Sequence, residues 1–384
     1  MRPILFSVPF LTGMETGYVG QVLESDHWHG DGAFTERATQ RLRELTDASH
    51  VLTTTSCTHA LELAALLLDV GVGDEVICPT FTFTSTATAI AIRGATPVFV
   101  DSDPLTMNLN PDAVAAAITP RTKAVFAVHY GGIPVAVDQL IPLCERNGLA
   151  FVEDNAHGFG ATYRGRPLGS FGDLAALSFH DTKNVAMGEG GALLFNNATF
   201  ADRAEIIREK GTNRSAFLRG AVDKYTWVDQ GSSYLPAELL AAVLCAQLEG
   251  FETIQALRHR VWSRYDLELA AWARSFGVTQ MFVPPEVEHP AHLYYLMMPT
   301  SDDQQGLIRH LRSLGITATF HYQPLDQSPA GSRVGRTPFE CSVAHDQAGR
   351  LVRLPLHANL SEEDVSRVVD GVRSYVPVAC SLPA

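Results

Sequence analysis

The chain has 384 residues, of which 46% are apolar and 18% charged, so it is long enough for two domains and typical of a soluble globular protein. Its net charge of −13 argues against a nucleic-acid backbone or an anionic membrane surface as partner, although an acidic protein can still bind a phosphorylated ligand locally. Six scattered cysteines, a poor secretory signal and the absence of a membrane-spanning apolar run predict a cytoplasmic protein with reduced thiols.

From about residue 50 to residue 195, short apolar strands alternate with helical segments. The predicted strands are Val51–Thr54, Glu75–Cys78, Pro97–Val100, Ala124–Val128, Ala150–Glu153, Ala175–Ser178 and Ala192–Phe195. The predicted helices between them are Ala60–Leu68, Thr84–Arg93, Pro111–Ile118 and Val137–Asn147. This alternation predicts an α/β fold whose mostly parallel sheet is covered by helices on both faces. Ligands of such sheets bind at the carboxyl ends of the strands.

The pattern changes after about residue 250. It predicts helices at Ala256–Phe276, Gln304–Leu314 and Glu362–Val372, and strands at Leu293–Met298, Ala318–Tyr322 and Leu351–Pro355. Asp326–Phe339, rich in Pro, Gly, Ser and Arg, is typical of a mobile loop. We therefore expect a large domain over residues 1–250, including an N-terminal segment, and a smaller C-terminal α+β domain over residues 251–384.

Lysine is scarce, and one lysine lies in an unusual context. Only four occur: Lys123, Lys183, Lys210 and Lys224. Lys123 and Lys210 lie in segments typical of solvated strand and helix ends. Lys183 follows Ser178-Phe179-His180-Asp181-Thr182 and precedes Gly188-Glu189-Gly190-Gly191. Because a lysine amine can form a Schiff base, Lys183 is the leading candidate if the protein holds an aldehyde cofactor covalently.

The run Thr53–Leu61 passes from a predicted strand into a helix. Hydroxyl and backbone N–H groups at such a helix start, here around Cys57 and Thr58, can bind an anion. Taken alone, the run favours a simple N-cap by Ser56 or Thr58. Cys57 is either a thiol of lowered pKa or a small space-filling residue.

Two further strand ends carry candidate residues. Asp154 ends an apolar strand, and its carboxylate either keeps a pyridine nitrogen protonated or caps a neighbouring loop. His157 is either a core histidine or a ligand to a ring oxygen. Phe83 and Phe81 offer rings for stacking on a heterocycle, or for the core. No dinucleotide or phosphate-loop fingerprint is present, and the histidine spacing predicts no metal site.

Together, the helix start at Thr53, the aromatic run, Glu153-Asp154 and the run from Ser178 to Gly191 resemble the DegT/DnrJ/EryC1/StrS sugar aminotransferases. The similarity extends almost from end to end and includes His29-Gly30-Asp31-Gly32, Gly71–Pro79 and His321-Tyr322-Gln323-Pro324-Leu325. It implies the fold-type I fold of PLP-dependent transferases, with pyridoxal 5'-phosphate (PLP/PMP) as cofactor. Arg208–Ser215, Val222–Trp227 and Gly231–Leu235 are especially similar to the subgroup that makes dTDP-4-amino-4,6-dideoxygalactose.

The resemblance also implies a role for individual residues. Lys183 would form the Schiff base and shuttle the proton, Asp154 would pair with the pyridine nitrogen, and His157 would approach the ring hydroxyl. Phe83 would stack on the ring. Thr58, Ser178 and the backbone at Cys57 would hold the phosphate, joined by Ser233 from the second subunit of a homodimer. Lys224, Tyr225, His321, Tyr322 and Arg333 are candidates for substrate binding.

The implied reaction moves an amino group from L-glutamate to C4 of a nucleotide-linked 4-keto-6-deoxyhexose, dTDP-4-keto-6-deoxyglucose. The product would be a dTDP-4-amino-4,6-dideoxyhexose of galacto or gluco configuration, which the sequence leaves open. Two alternatives remain at this point. One is a PLP-dependent sugar dehydratase, whose relatives carry histidine in place of the lysine at position 183. The other is a non-catalytic nucleotide-sugar sensor on the same fold.

Overall fold

The structure is a computed structural model that describes residues 2–378. A seven-stranded sheet dominates it, with strand order β1-β9-β8-β5-β4-β2-β3. Strand β9 runs antiparallel to both of its neighbours, and the other neighbouring pairs are parallel. The described strands are β1 (His50–Thr54), β2 (Glu75–Pro79), β3 (Thr96–Val100), β4 (Thr122–Val128), β5 (Ala150–Asp154), β6 (Thr162–Tyr163), β7 (Arg166–Pro167), β8 (Leu174–Ser178), β9 (Gly191–Phe195), β10 (Thr279–Gln280), β11 (Val287–Glu288), β12 (Tyr294–Met297) and β13 (Leu351–Leu354).

All seven strands predicted before residue 200 lie in this sheet, which confirms the mostly parallel α/β fold. The described helices are α1 (Glu15–Glu24), α2 (Ala33–Thr46), α3 (Cys57–Leu67), α4 (Thr84–Ala91), α5 (Pro111–Ala117), α6 (Val137–Asn147), α7 (Ala201–Arg208), α8 (Arg214–Leu218), α9 (Glu238–Glu249), α10 (Phe251–Ser275), α11 (Ser301–Ser313), α12 (Gly331–Val334), α13 (Ser342–Arg350) and α14 (Glu362–Arg373). Helices α1, α2, α7, α8, α9, α12 and α13 have no predicted counterpart, and α10 begins at Phe251, before the predicted Ala256.

Successive strand residues bury their side chains on opposite faces of the sheet, because side chains alternate along a strand. Val76 packs in the cluster that contains the apolar side of α3, whereas its neighbour Ile77 packs in the cluster that contains residues of α5 and α6. At the β1 end, the second face is covered by α2 and α9. Both faces are therefore dry, and the strand ends are the part of the sheet left open for a ligand.

A second, three-stranded sheet of order β10-β12-β13 is antiparallel and packs against α10, α11 and α14. Helix α14 begins with a capping box, in which Ser361 and Asp364 each bond the other's backbone N–H. The start of the chain joins this part, since Ile4 N donates to Gly315 O and Thr317 N donates to Ile4 O. The division into domains at residue 250 stays a prediction.

Two expectations for the C-terminal part are wrong. The segment predicted as a strand at Ala318–Tyr322 makes only one isolated bridge, between Thr319 and Arg353, and is otherwise not paired as a strand. The segment Asp326–Phe339, predicted as a mobile loop, contains α12 and is held against β3 by backbone hydrogen bonds between Arg336 and both Pro97 and Phe99. The conformation of both segments is determined by tertiary contacts with residues that lie far away in the sequence.

No disulfide joins the five described cysteines, which are Cys57, Cys78, Cys144, Cys245 and Cys341. Cys380, the sixth, lies outside the described residues. Within residues 2–378, no helix combines the length and the apolar character needed to cross a membrane.

Candidate active site

A cavity of about 660 Å³ opens at the carboxyl ends of β1, β5 and β8. Its other side is formed by the segment between α11 and β13 and by β13 itself. Nine of the residues singled out in the sequence line it: Cys57, Thr58, Phe83, Asp154, His157, Ser178, Lys183, His321 and Tyr322. Residues that are up to 265 positions apart in the chain thus meet around one space, as expected for a ligand site at strand ends.

Asp154, the last residue of β5, is buried and only partly satisfied by the protein. Its Oδ2 accepts a hydrogen bond of 2.7 Å from the Thr86 hydroxyl, and its Oδ1 accepts a longer one of 3.3 Å from Ala156 N. Burial raises the pKa of Asp154, and these two bonds only partly oppose the shift. A positively charged group in the cavity would stabilise this carboxylate.

Lys183 lines the same cavity, and within the described residues no hydrogen bond or ion pair occupies its amine. Burial lowers the pKa of Lys183 to about 8, an effect that Cys57 and Asp154 oppose and the Arg353 charge assists. A larger fraction of this amine is therefore neutral and nucleophilic near neutral pH than for an exposed lysine. The predicted candidate for Schiff-base chemistry is thus both accessible and activated.

The first turn of α3 presents hydroxyl and N–H groups to the cavity. Ser56 caps the helix by accepting a hydrogen bond of 3.0 Å from His59 N, and the Thr58 hydroxyl lies 2.7 Å from that of Ser85. Gly191 lets this turn approach the sheet, because a Cβ at that position would lie 2.5 Å from Cys57 N. Burial and the Asp154 charge raise the pKa of Cys57 well above its usual range, so Cys57 is a neutral thiol that fills space.

His157 is neutral and its proton position is defined. Its Nδ1 accepts from Gly131 N at 3.3 Å, so the proton lies on Nε2, which is 3.3 Å from the Tyr322 hydroxyl. Burial, assisted by the charges of Lys183 and Arg353, lowers the pKa of His157 well below its usual value. The ring of His292 stacks on His157 at 4.4 Å and forms the wall behind it.

The two candidate aromatic residues separate clearly. Phe83 is 59% exposed and lines the cavity, whereas Phe81 is buried and packs edge-on against Tyr130. Phe83 therefore has a free face for a planar ligand, and Phe81 belongs to the core. This supports the choice of Phe83 over Phe81 made from the sequence.

Four of the residues predicted for the site lie outside this cavity. Ser233, Lys224, Tyr225 and Arg333 are exposed, and none of them is among the residues that line the 660 Å³ cavity. For Ser233 this agrees with a role in a neighbouring subunit's site, which stays a prediction. Arg333 lies on the outer helix α12, and its proposed contact with substrate also stays a prediction.

Several residues of the cavity were not found from the sequence. They include Phe6, Thr82, Ser85, His292 and Arg353. Arg353 had a local signal, since it is a charged residue in the short apolar strand Leu351-Val352-Arg353-Leu354. Phe6 and His292 had none, because only the tertiary fold brings them next to Lys183. Among residues 2–378, no group of three His, Cys, Asp or Glu side chains is arranged to hold a metal ion.

The protein is built around a mostly parallel α/β sheet, with a nucleophilic lysine and a buried aspartate at its strand ends. It has the fold of the fold-type I PLP-dependent transferases. The sequence matches the DegT/DnrJ/EryC1/StrS aminotransferase family over residues 10–373, and the chain belongs to this family. It is 33% identical to the spore coat polysaccharide biosynthesis protein SpsC of Bacillus subtilis, over 97% of this chain and 96% of that protein.

The similarity extends to a second curated relative and to solved structures. The chain is 32% identical to GDP-perosamine synthase of Caulobacter vibrioides, over 95% of this chain and 96% of that protein. It superposes on the PLP form of the putative sugar aminotransferase Spr1654 of Streptococcus pneumoniae with a TM-score of 0.89 and 28% identity, covering 97% of this chain and 98% of that one. Sugar aminotransferases of known fold thus match the whole architecture.

Proposed function

We propose that this protein uses PLP to transfer the amino group of L-glutamate to C4 of dTDP-4-keto-6-deoxyglucose, giving a dTDP-4-amino-4,6-dideoxyhexose. The observation that carries the proposal is the presence of Lys183 and Asp154 in one cavity, the first with an amine that makes no hydrogen bond and the second with a carboxylate that makes no ion pair among the described residues. Membership of the aminotransferase family supports the reaction type.

The residues present fit the cofactor at each of its polar positions. Asp154 would balance the charge of a protonated pyridine nitrogen, and that charge would in turn favour the ionised carboxylate. The helix start at Cys57 and Thr58, with Ser178 beside it, offers N–H and hydroxyl donors for a phosphate. His157 Nε2–H would donate to a ring oxygen, and Phe83 would stack on the ring.

When bound, PLP supplies an aldehyde and an electron-accepting ring, so that a proton can leave the carbon that carries the amine. Lys183 would hold the aldehyde between turnovers, be displaced by the amino donor, and then accept and return that proton at Nζ. A pKa of about 8 suits both tasks, since the amine can take up and release a proton near neutral pH.

Support for the substrate comes from less direct sources. The GDP-perosamine synthase among the relatives supports a nucleotide-activated amino sugar as product, and the nucleotide in its name is not dTDP. Our choice of dTDP and of a 4-keto-6-deoxyhexose comes from the resemblance of the segments 208–215, 222–227 and 231–235 to one subgroup. Lys224, Tyr225 and Arg333 are our candidates for contacts to the nucleotide part, within a homodimer.

Two measurements test the proposal. Borohydride should reduce the bound cofactor onto the wild-type chain, and peptide mass spectrometry should locate the adduct at Lys183. The Lys183→Ala variant should bind PLP without a reducible link and should be inactive. An adduct on another lysine, or a reducible link in the variant, would contradict the assignment. Wild-type enzyme incubated with glutamate and dTDP-4-keto-6-deoxyglucose should form an aminosugar whose H3–H4 coupling in the proton NMR spectrum reports the C4 configuration.

A further inference from the structure

We propose that Arg353 is the binding site for the carboxylate of the amino donor. This inference rests on the proposed function, because it names a contact in the same cavity. Arg353 lies on β13 and lines the cavity together with Lys183, His157 and His321. No carboxylate of the described residues lies within ion-pair distance of it, although the cavity also contains Asp154 and Glu189.

Most of the hydrogen-bonding capacity of Arg353 is unused. A guanidinium has five N–H donors, and the one side-chain hydrogen bond of Arg353 runs from Nη1 to His321 Nε2 at 3.1 Å. Its Nε is buried and has no partner. Arg353 is half-buried, and a cation with a buried, unsatisfied donor is unfavourable, so an anion that arrives with a ligand or substrate would stabilise it.

Two buried arginines show how an arginine with a structural role is paired in this fold. Arg258 donates from Nε and Nη2 to the backbone oxygens of Ala291 and His292. Arg208 binds both carboxylate oxygens of Asp31, at 2.8 Å and 2.7 Å. Arg353 has neither kind of arrangement. Its difference from these two residues therefore points to a ligand and not to the stability of the fold.

The guanidinium of Arg353 is held in place from two sides. His321 fixes one end, and its Nδ1 in turn lies 3.0 Å from the Tyr130 hydroxyl. The ring of Phe6 lies against the guanidinium carbon, with the centroid at 4.8 Å. Arg353 also lines a cavity of about 10 Å³, which has room for no more than a water molecule, whereas the 660 Å³ cavity has room for a larger anion.

The geometry of the two substrates decides which anion fits. In an α-amino acid, the carboxylate is one carbon away from the amine that must reach the position of the Lys183 amine. In a sugar nucleotide, the sugar ring separates the reacting C4 from the phosphate on C1. Arg353 and Lys183 line the same cavity, and Arg353 also shares a small cavity with Thr182, the residue before Lys183. It therefore matches the nearer anion, which is the carboxylate of the donor.

The test measures the two half-reactions of the enzyme separately in the Arg353→Met variant. In the first, L-glutamate removes the visible absorption band of the PLP-loaded enzyme. We expect the half-saturating glutamate concentration to rise about ten- to hundredfold, because a charge-assisted contact is lost. In the second, the enzyme loaded with pyridoxamine phosphate reacts with the keto sugar, and we expect its half-saturating concentration to change by less than about twofold. Arg353→Lys should have an intermediate effect on glutamate.

A binding measurement supplements the kinetics. Glutarate is a dicarboxylate without an amine, and we expect it to raise the melting temperature of the PLP-loaded wild-type enzyme but not of Arg353→Met. Arg312→Met removes an exposed arginine from α11 and should behave like wild type in every assay. Melting temperatures without glutarate and the amount of bound cofactor show whether each variant folds, and Arg353→Lys provides the comparison if Arg353→Met does not.

The outcomes distinguish the inference from the proposed function. The assignment would be overturned if Arg353→Met depended on glutamate as wild type does. It would also be overturned if the defect were confined to the keto-sugar half-reaction, which would mean that Arg353 binds the diphosphate. If wild-type enzyme reacts with glutamate but not with the keto sugar, the proposed sugar substrate is wrong and the Arg353 assignment stands. If glutarate stabilises wild type and Arg353→Met equally, the carboxylate site lies elsewhere.

Discussion

Two neighbouring carboxylates of β5 have opposite electrostatic environments. Burial alone would raise the pKa of both. For Glu153, a hydrogen bond of 2.8 Å to His129 Nε2 and bonds from the N–H groups of Gly169 and Gly172 outweigh burial, and its pKa is lowered. For Asp154 burial dominates, and its pKa is raised. Since side chains alternate along a strand, Glu153 fixes the strand end while Asp154 faces the cavity.

This contrast predicts the effect of removing the charge of Asp154. Asp154→Asn keeps the size of the side chain and can still bond Thr86, but it cannot balance a positive charge. We expect kcat to fall by about 10² to 10³, the usual cost of losing one electrostatic contact to a reacting centre. Steady-state kinetics with saturating PLP measures the effect. Thr86→Val, which leaves the charge in place, should cost about tenfold or less, and equal losses in both variants would contradict the role of the charge.

The sequence alone singled out those cavity residues that lie in short continuous motifs. Lys183 and Ser178 share one motif, and Asp154 and His157 share another, so each pair is visible without knowledge of the fold. Arg353 and His292 lie far from these motifs in the chain. The charge of Arg353 within an apolar strand is a local signal, but its place in the cavity depends on how β13 and the segment before β12 pack over the strand ends.

At the level of elements, one buried carboxylate joins distant parts of the chain. Glu75 at the start of β2 is 2% exposed and accepts hydrogen bonds from Arg336 at 2.8 and 3.0 Å and from Arg121. These contacts attach the segment that includes α12 to the large sheet. The sequence suggested a mobile loop here because its composition is polar and rich in Gly and Pro, whereas the partner that orders it lies about 260 residues earlier.

This anchor predicts a pH dependence of stability. The hydrogen bond from Arg336, helped by Arg121, lowers the pKa of Glu75 from 4.5 to about 2. The stabilisation is therefore complete above pH 4.5 and is lost as the pH falls from 4.5 towards 2. We expect wild type to lose about 2 to 3 kcal/mol more than Glu75→Gln over this interval. Urea unfolding at several pH values measures this difference, and Glu24→Gln, at an exposed position, should follow wild type throughout.

Short apolar runs in the sequence were sufficient to predict the strands of the large sheet, but not all of those in the C-terminal part. The seven strands of the large sheet were all predicted, because most of them contain a short apolar run between turn residues. Ala318–Tyr322 forms one isolated bridge, and the side chains of His321 and Tyr322 line the cavity. Its local sequence does not show whether another strand offers backbone N–H and C=O groups for pairing.

For the whole molecule, one surface segment bears on the proposed homodimer. Between α7 and α9, Phe217, Leu218, Tyr225, Trp227 and Val228 are exposed, and Trp227 is 76% exposed. Ser233 lies in the same part of the chain and is also exposed. Apolar side chains concentrated in this way are typical of an interaction surface. They support the homodimer of the proposed function, in which Ser233 would reach the cofactor phosphate of the other subunit.

Complementation between two inactive variants tests this arrangement. Lys183→Ala lacks the nucleophile, and Ser233→Phe places a bulky ring where the phosphate would be bound. If each site takes Lys183 from one subunit and Ser233 from the other, a mixed dimer has one intact site. Because random exchange makes half of the dimers mixed, about a quarter of the wild-type activity should return after the two variants are unfolded and refolded together. Separately refolded samples are the control. No recovery in samples that form mixed dimers by mass spectrometry would mean that Ser233 does not act across the interface.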